Sequence, residues 1–248
     1  MIKPLLIELR DLSLTLPTSD SRNRSFKSYV LSKIKGHVET IPPQDILVNI
    51  NLKIFRGESL SIIGTNGSGK SSLLRVLSEI YSPSVGSLIG TPSRMPLIEL
   101  DGAFNGELTV LENIDFLSIL LGIHYKSISS IRQSVLQFSE LENFAAQPMR
   151  TLSTGMKARF AFAFATSIES DLLLIDESLS VGDYQFSMKA AARIRELKKK
   201  GVTLVLVTHD LTLASKFTKK CLWLENGSIK LYGNTKTIIS KYQNFMEA

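Results

Sequence analysis

The spacing of apolar residues divides the chain into strand-like and helix-like stretches. Leu5 to Leu16 is rich in aliphatic residues and predicts a strand near the edge of a sheet, broken by Pro17. Ile46 to Ile54 alternates apolar and polar positions as a half-buried strand does, Arg56-Gly57-Glu58 turns the chain, and Ser59 to Ile63 predicts a short buried strand. Leu73, Leu74, Val76, Leu77 and Ile80 then recur at helical spacing, which predicts a helix over Ser71 to Ile80. Residues 100 to 166 are mostly helical in pattern, with helices over Leu111 to Leu121, Ile128 to Leu141 and Gly155 to Ile168. Two strongly apolar strands, Leu172 to Ile175 and Thr203 to Val207, flank a helix over Gln185 to Lys200, and this order implies a parallel sheet. Cys221 to Ile229, turning at Asn226-Gly227, predicts a hairpin, and Thr235 to Met246 a short amphipathic helix. Residues 18–43 form a polar insert closing with Pro42-Pro43, inside which Ser25 to Lys35 has the pattern of a short basic helix.

Composition narrows the setting. At 248 residues, 44% hydrophobic and 21% charged, the chain can bury a full core, which excludes a disordered or fibrous protein. One cysteine, Cys221, excludes a disulfide framework and a multi-cysteine metal site, as in a reducing compartment. Met1 to Leu16 lacks a signal-peptide pattern, and the most apolar stretches, Phe116 to Ile123 and Phe160 to Ile168, fall short of the ~20 residues of a bilayer-spanning helix. A net charge of +6 permits attraction to nucleic acid, anionic lipid or a phosphorylated substrate without choosing among them. The basic run Arg193 to Lys200 is expected to be the solvated face of a helix.

Four features carry chemistry. Gly64-Thr65-Asn66-Gly67-Ser68-Gly69-Lys70-Ser71, with Ser72 following, matches G-x-x-x-x-G-K-[ST] between a predicted strand and a predicted helix. Glycines there let backbone N–H groups converge on phosphate oxygens, Lys70 reaches the β- and γ-phosphates, and the Ser71 hydroxyl binds Mg²⁺. Leu172 to Glu177 ends a buried strand in two carboxylates, Asp176 as a Mg²⁺ partner, directly or through water, and Glu177 poised to polarise the attacking water. His209 lies at the carboxyl end of the next strand and is expected within reach of the γ-phosphate, whereas His37 and His124 are read as structural. Leu152-Ser153-Thr154-Gly155-Met156 offers a hydroxyl, a flexible glycine and a helix N-terminus: either a simple N-cap or a second anion site, too far from Lys70 to serve it within one chain.

With these motifs in this order, the chain resembles the nucleotide-binding subunits of ABC transporters over nearly its whole length. Gly64 to Ser71, Leu152 to Met156, Leu172 to Glu177, Ser180 to Asp183 and His209 look like Walker A, signature, Walker B, D-loop and switch histidine. The resemblance implies an α/β P-loop NTPase (RecA-like) fold with a mostly parallel sheet core, an N-terminal antiparallel β subdomain and a helical insertion subdomain. Residues 1–97 and 167–232 would form the core with the β subdomain, 98–166 the helical signature subdomain and 233–248 a C-terminal helix. It further implies a head-to-tail homodimer that sandwiches two ATP and Mg²⁺ between each Walker A and the partner's signature, including Ser153, Thr154 and Gly155. Gly106 to Ile114, Thr154 to Ala163 and Val181 to Asp183 look like the bacterial polysaccharide-export branch. That branch implies integral membrane permease subunits as partners, a lipid-linked polysaccharide as cargo, and a peripheral position on the cytoplasmic face of the inner membrane. The alternatives are an exporter motor for a peptide, drug or lipid, and a soluble ATPase acting on nucleic acid; the second predicts a coiled-coil arm or a second nucleotide domain, so no nucleic-acid partner is expected.

The sequence also departs from the family pattern. The position of the adenine-stacking aromatic holds Leu16, unless Phe26 or Tyr29 substitutes. The Q-loop glutamine is missing from Ile98 to Phe104, where Glu99 or Asp101 is the expected replacement as an oxygen ligand near Mg²⁺ or as a link to the permease. The basic insert is expected to touch the permease, lipid headgroups or solvent, and the chain is expected to end before any appended glycan-binding domain.

Overall fold

Strands that are apolar at every position need two covered faces, and the sheet of this chain has both. The computed structural model describes residues 3–17, 43–96, 103–176 and 184–247. In chain order the described elements begin with β1 (Leu5–Leu16), β2 (Gln44–Phe55), β3 (Ser59–Ile63), α1 (Lys70–Leu77), β4 (Val85–Ile89) and β5 (Arg94–Pro96). Three helices follow, α2 (Val110–Leu120), α3 (Tyr125–Ser139) and α4 (Thr154–Ser167), and then β6 (Leu172–Ile175), α5 (Tyr184–Lys199) and β7 (Thr203–Val207). The chain closes with α6 (Leu211–Phe217), β8 (Lys220–Glu225), β9 (Ser228–Asn234) and α7 (Thr235–Met246).

Six of the strands form one sheet in the order β5-β6-β7-β3-β8-β9, parallel throughout except for the antiparallel β8–β9 hairpin. Successive side chains leave a strand on opposite faces. Leu173 and Ile175 of β6 and Leu204 and Leu206 of β7 therefore enter one apolar cluster, while Leu172, Leu174, Val205 and Val207 enter another. The first cluster lies beneath α2 to α5, where Phe160, Phe162 and Phe164 are buried. The second lies beneath a three-stranded antiparallel sheet, β2-β1-β4, together with α1.

Several expectations need correction. β1 is the central strand of its sheet, not an edge, because β4 pairs along its other side. α1 stops at Leu77: Glu79 takes a left-handed φ of 62° and Ile80 is exposed, off the buried face. The basic end of α5 is only partly a solvated face, since the Arg193 guanidinium stacks 4.7 Å from the Phe138 ring centre and Lys198 Nζ donates to the Phe217 carbonyl at 2.5 Å. His124 is structural as read, accepting from the Lys126 N–H at the start of α3. The segment with the basic-helix pattern, together with His37, Phe26 and Tyr29, lies outside the described residues.

The stretch Gly106 to Ile114 has a local physical reason for its wording. Thr109 and Glu112 form a capping box at the start of α2, each side chain bonded to the other residue's backbone N–H. Asn113, fully buried, donates to the carbonyls of Asn105, Leu108 and Thr109 and accepts from the Asn105 N–H, so a single amide organises the turn that enters the helical insertion.

Candidate functional site

The loop Gly64–Gly69 leaves the carboxyl end of β3 and feeds directly into α1. Ser68 N–H bonds the Thr65 carbonyl and Leu73 N–H bonds that of Gly69, closing the loop onto the helix. The N-cap is Gly69, which has φ 98° and no side-chain cap, and no acidic residue occupies the first turn. Helix N–H groups without a side-chain cap are ready donors for an anion. Lys70 is 7% exposed, and its Nζ donates to the carbonyls of Gly64 and Thr65 at 2.9 Å each. The Ser68 hydroxyl is buried and has no hydrogen-bond partner among the described residues. An uncapped helix end, an inward-drawn ammonium and an orphaned hydroxyl fit a phosphate group.

The glycine at position 64 is required by contact. Its φ is 153°, and an added Cβ would stand 2.2 Å from the Leu224 carbonyl oxygen of β8 and 2.7 Å from Ser68 Oγ. Gly64→Ala must therefore push the loop off β8. The expected loss is about 2 kcal/mol of unfolding free energy with weakened ATP binding, measured by denaturant titration and by nucleotide calorimetry. Unchanged stability and affinity would show that the loop does not rely on this close approach.

A brace that sequence reading missed holds the loop from behind. The β8–β9 turn, Asn226-Gly227, has φ values of 46° and 75°. Gly227 N–H donates to the Ser68 carbonyl at 3.1 Å, while the Gly227 carbonyl accepts from Val48 N–H of β2 at 2.9 Å. The Asn-Gly pair signals a turn, but nothing local in the sequence signals that the turn meets residues so distant along the chain.

The parallel register brings the remaining candidates to the same edge. β7 lies between β3 and β6, with Ile62 opposite Val207 and Ile175 opposite Leu206. Asp176 follows β6 and His209 follows β7, so both emerge at the carboxyl edge where Gly64 leaves β3, the edge at which open α/β sheets take their ligands. His209 is exposed. The chain about it is fixed by Thr208 Oγ1, which accepts from Asp210 N–H, and by the Asp210 carboxylate, which caps α6 through Thr212 and Leu213 N–H. Asp176 is not adjacent to the loop strand, since β7 intervenes. Glu177, Glu99, Asp101 and Ser180 to Asp183 lie outside the described residues.

Ser153 stands apart. It caps α4 by accepting from Met156 N–H at 3.2 Å, so the N-cap reading is correct as geometry. Ser153 and Thr154 are exposed, a Cβ at Gly155 would meet no atom of the described residues within 4 Å, and no acidic residue lies in the first turn. Leu152 packs in the cluster on one face of the six-stranded sheet, whereas Leu73 and Leu74 beside Lys70 pack on the other.

The profile of the ABC transporter family matches residues 47–180. The teichoic acids export ATP-binding protein TagH of Bacillus anthracis is 36% identical over 201 residues, 81% of this chain and 36% of that protein. The O-antigen export system ATP-binding protein RfbB of Myxococcus xanthus is 36% identical over 221 residues, 88% of this chain and 51% of that protein. The chain thus spans about a third to a half of the length of these curated relatives. Among solved structures, the dimeric ATP-binding cassette MJ0796 in a post-hydrolysis state bound to ADP and Pi superposes with a TM-score of 0.74 at 23% identity, covering 93% of this chain and 99% of that one. At that identity the likeness is one of fold.

Proposed function

The chain belongs to the ABC transporter family, and from that premise we propose that it is an ATP-binding and ATP-hydrolysing subunit that pairs head to tail with a second copy of itself. The pair drives export of a lipid-linked polysaccharide through separate permease subunits. The observation that supports the nucleotide reading is the shared sheet edge: the uncapped loop helix with Lys70 and Ser71, then His209, then Asp176.

In this reading the backbone N–H groups of the loop from Gly64 through Ser72 hold the phosphates, and Lys70 moves from the loop carbonyls to the β- and γ-phosphates. Ser71 and Asp176 would hold Mg²⁺, with Glu99 or Asp101 as a further oxygen ligand or as a link to the permease; the ion, when bound, would neutralise charge on the phosphate oxygens. Glu177 orients and polarises the attacking water, and His209 contacts the γ-phosphate. Ser153, Thr154 and Gly155 meet the γ-phosphate held by the other copy, because their helix end is exposed and has no acidic residue in its first turn, while its packing lies on the opposite face of the sheet from Lys70. The names of the curated relatives, teichoic acid export and O-antigen export, support a polysaccharide cargo. No helix among the described residues is long and apolar enough to cross a membrane, so in this proposal the permease supplies the passage and the chain sits at its cytoplasmic face.

Mixing Ser153→Arg with Lys70→Ala subunits tests the pairing. Each parent alone should be nearly inactive. A mixed pair contains one site in which an intact Lys70 faces an intact Ser153, so an equimolar mixture should recover about a quarter of wild-type turnover if pairs form at random. A silent mixture in which crosslinking shows mixed pairs removes the head-to-tail arrangement. Cargo is tested with the co-purified permease in detergent: lipid-linked glycan should raise ATP turnover, and indifference to it would remove the polysaccharide.

A further inference from the structure

A cavity lies at the opposite edge of the six-stranded sheet from the loop. Its volume is about 900 Å³, and its walls come from β1, β2, the Gly57–Ser59 turn into β3, the end of α5, the start of β8 and Tyr232 of β9. That volume lies within the range of small-molecule pockets. Leu9, Leu52, Phe55 and the Tyr232 ring give it an apolar interior.

Its charge is strongly one-sided. Lys3, Lys198, Lys219 and Lys220 all line it, and among the described residues no carboxylate lies within ion-pair distance of any of them. Lys3 donates to the Gly57 carbonyl and Lys198 to that of Phe217, and the Lys220 ammonium sits 5.2 Å from the Tyr232 ring centre. Two carboxylates also stand in the wall, each bonded at least in part to other groups of the wall, which include a fifth lysine, Lys53. Glu8 is paired with Arg10 and Lys53, while Glu58 accepts from Phe55 N–H and the Tyr232 hydroxyl. Burial and the Lys219 ammonium hold Lys198 below the usual lysine range, the direction expected where positive charge lacks a counterion.

We propose that this cavity binds an organic phosphate with an apolar body, the phosphate on the ammonium groups of Lys198, Lys219 and Lys220 and the body against Leu52, Phe55 and Tyr232. Several ammonium groups that have no carboxylate partner among the described residues, gathered around one apolar pocket, favour a dianionic head over a single carboxylate, and charge-assisted bonds in partial burial are the strong ones. The site is separate from the loop, one strand length away along β3.

Decyl phosphate serves as the probe, added to the full chain in the Lys70→Ala background so that the loop does not compete. Isothermal titration should show saturable one-to-one binding, with decanol and inorganic phosphate each at least about tenfold weaker, since each supplies only part of the interaction. Lys198→Ala combined with Lys219→Ala should weaken decyl phosphate by about tenfold or more, whereas Lys236→Ala, on α7, should not. A second measurement needs no cavity variant: decyl phosphate should protect Lys198, Lys219 and Lys220 from amine acetylation, read by mass spectrometry. Binding equal in the double variant, equal affinity for decanol, or acetylation unaltered by the probe would each overturn the assignment.

Discussion

Replacing Lys70 with alanine should lower ATP turnover by about two to three orders of magnitude. The side chain is 7% exposed and its ammonium is held by the Gly64 and Thr65 carbonyls, so its charge waits at the mouth of the loop. Those two carbonyls are uncharged acceptors, whereas phosphate oxygens carry negative charge, so moving onto a phosphate adds Coulombic attraction to the ammonium's hydrogen bonds. Alanine keeps the helical backbone and removes only the charge. Lys70→Arg should rescue little, because a planar fork does not match the two carbonyls that hold a compact ammonium. Phosphate release at saturating ATP, with far-ultraviolet circular dichroism as the folding check, measures the effect. Turnover within threefold of wild type in a folded Lys70→Ala protein would strip the residue of its assigned role.

The largest stability effect should come from Phe160→Ala. Phe160 is fully buried, meets Phe104 edge-on at 5.1 Å between ring centres and stacks with Phe164 at 6.3 Å. Removing a buried aromatic ring costs about 3–5 kcal/mol through lost transfer energy and the cavity left behind. For a chain of this size that corresponds to a fall of roughly 10 °C in the thermal midpoint. Ser153 caps the same helix, α4, so its exposed N-terminus should loosen along with the core beneath it. Denaturant and thermal unfolding test this; a loss below about 1 kcal/mol would mean that neighbouring rings close the gap.

Features set by nearby residues were legible in the sequence. The loop and the start of its helix, the α4 cap at Ser153 and the hairpin turn at Asn226-Gly227 each depend on residues close along the chain, and each has its expected local form. α7 matches its expected span, Thr235 to Met246. What escaped detection was short or set by distant partners. β4 is half exposed with no regular alternation, and β5 has only three residues. α6, with seven residues, is too brief for helical spacing to register, although Asp210 before it is an N-cap signal. The central place of β1 depends on that unseen β4.

At the site, the expectation that Asp176 and His209 share an edge with the loop rested on parallel pairing, and the sheet is parallel there. The insertion of β7 between β3 and β6 could not be read, because strand order is a property of the whole sheet and not of any strand's sequence. The contact between Gly64 and Leu224 was equally invisible: a glycine in a phosphate-loop pattern is explained by the pattern, which conceals that β8 also requires it.

Hairpin tips are ordinarily where a chain best tolerates an inserted peptide or new termini. The Asn226-Gly227 tip is different, since its backbone is bonded to β2 on one side and to Ser68 on the other, and a Cβ at Gly227 would lie 2.6 Å from the Ile46 carbonyl. A tag spliced there would unseat the loop while leaving every candidate chemical residue in the sequence. The permissive location lies instead at Gly122, between α2 and α3, exposed and with open space around it. A reporter inserted at Gly122 would ride on the helical insertion and leave the loop's support untouched.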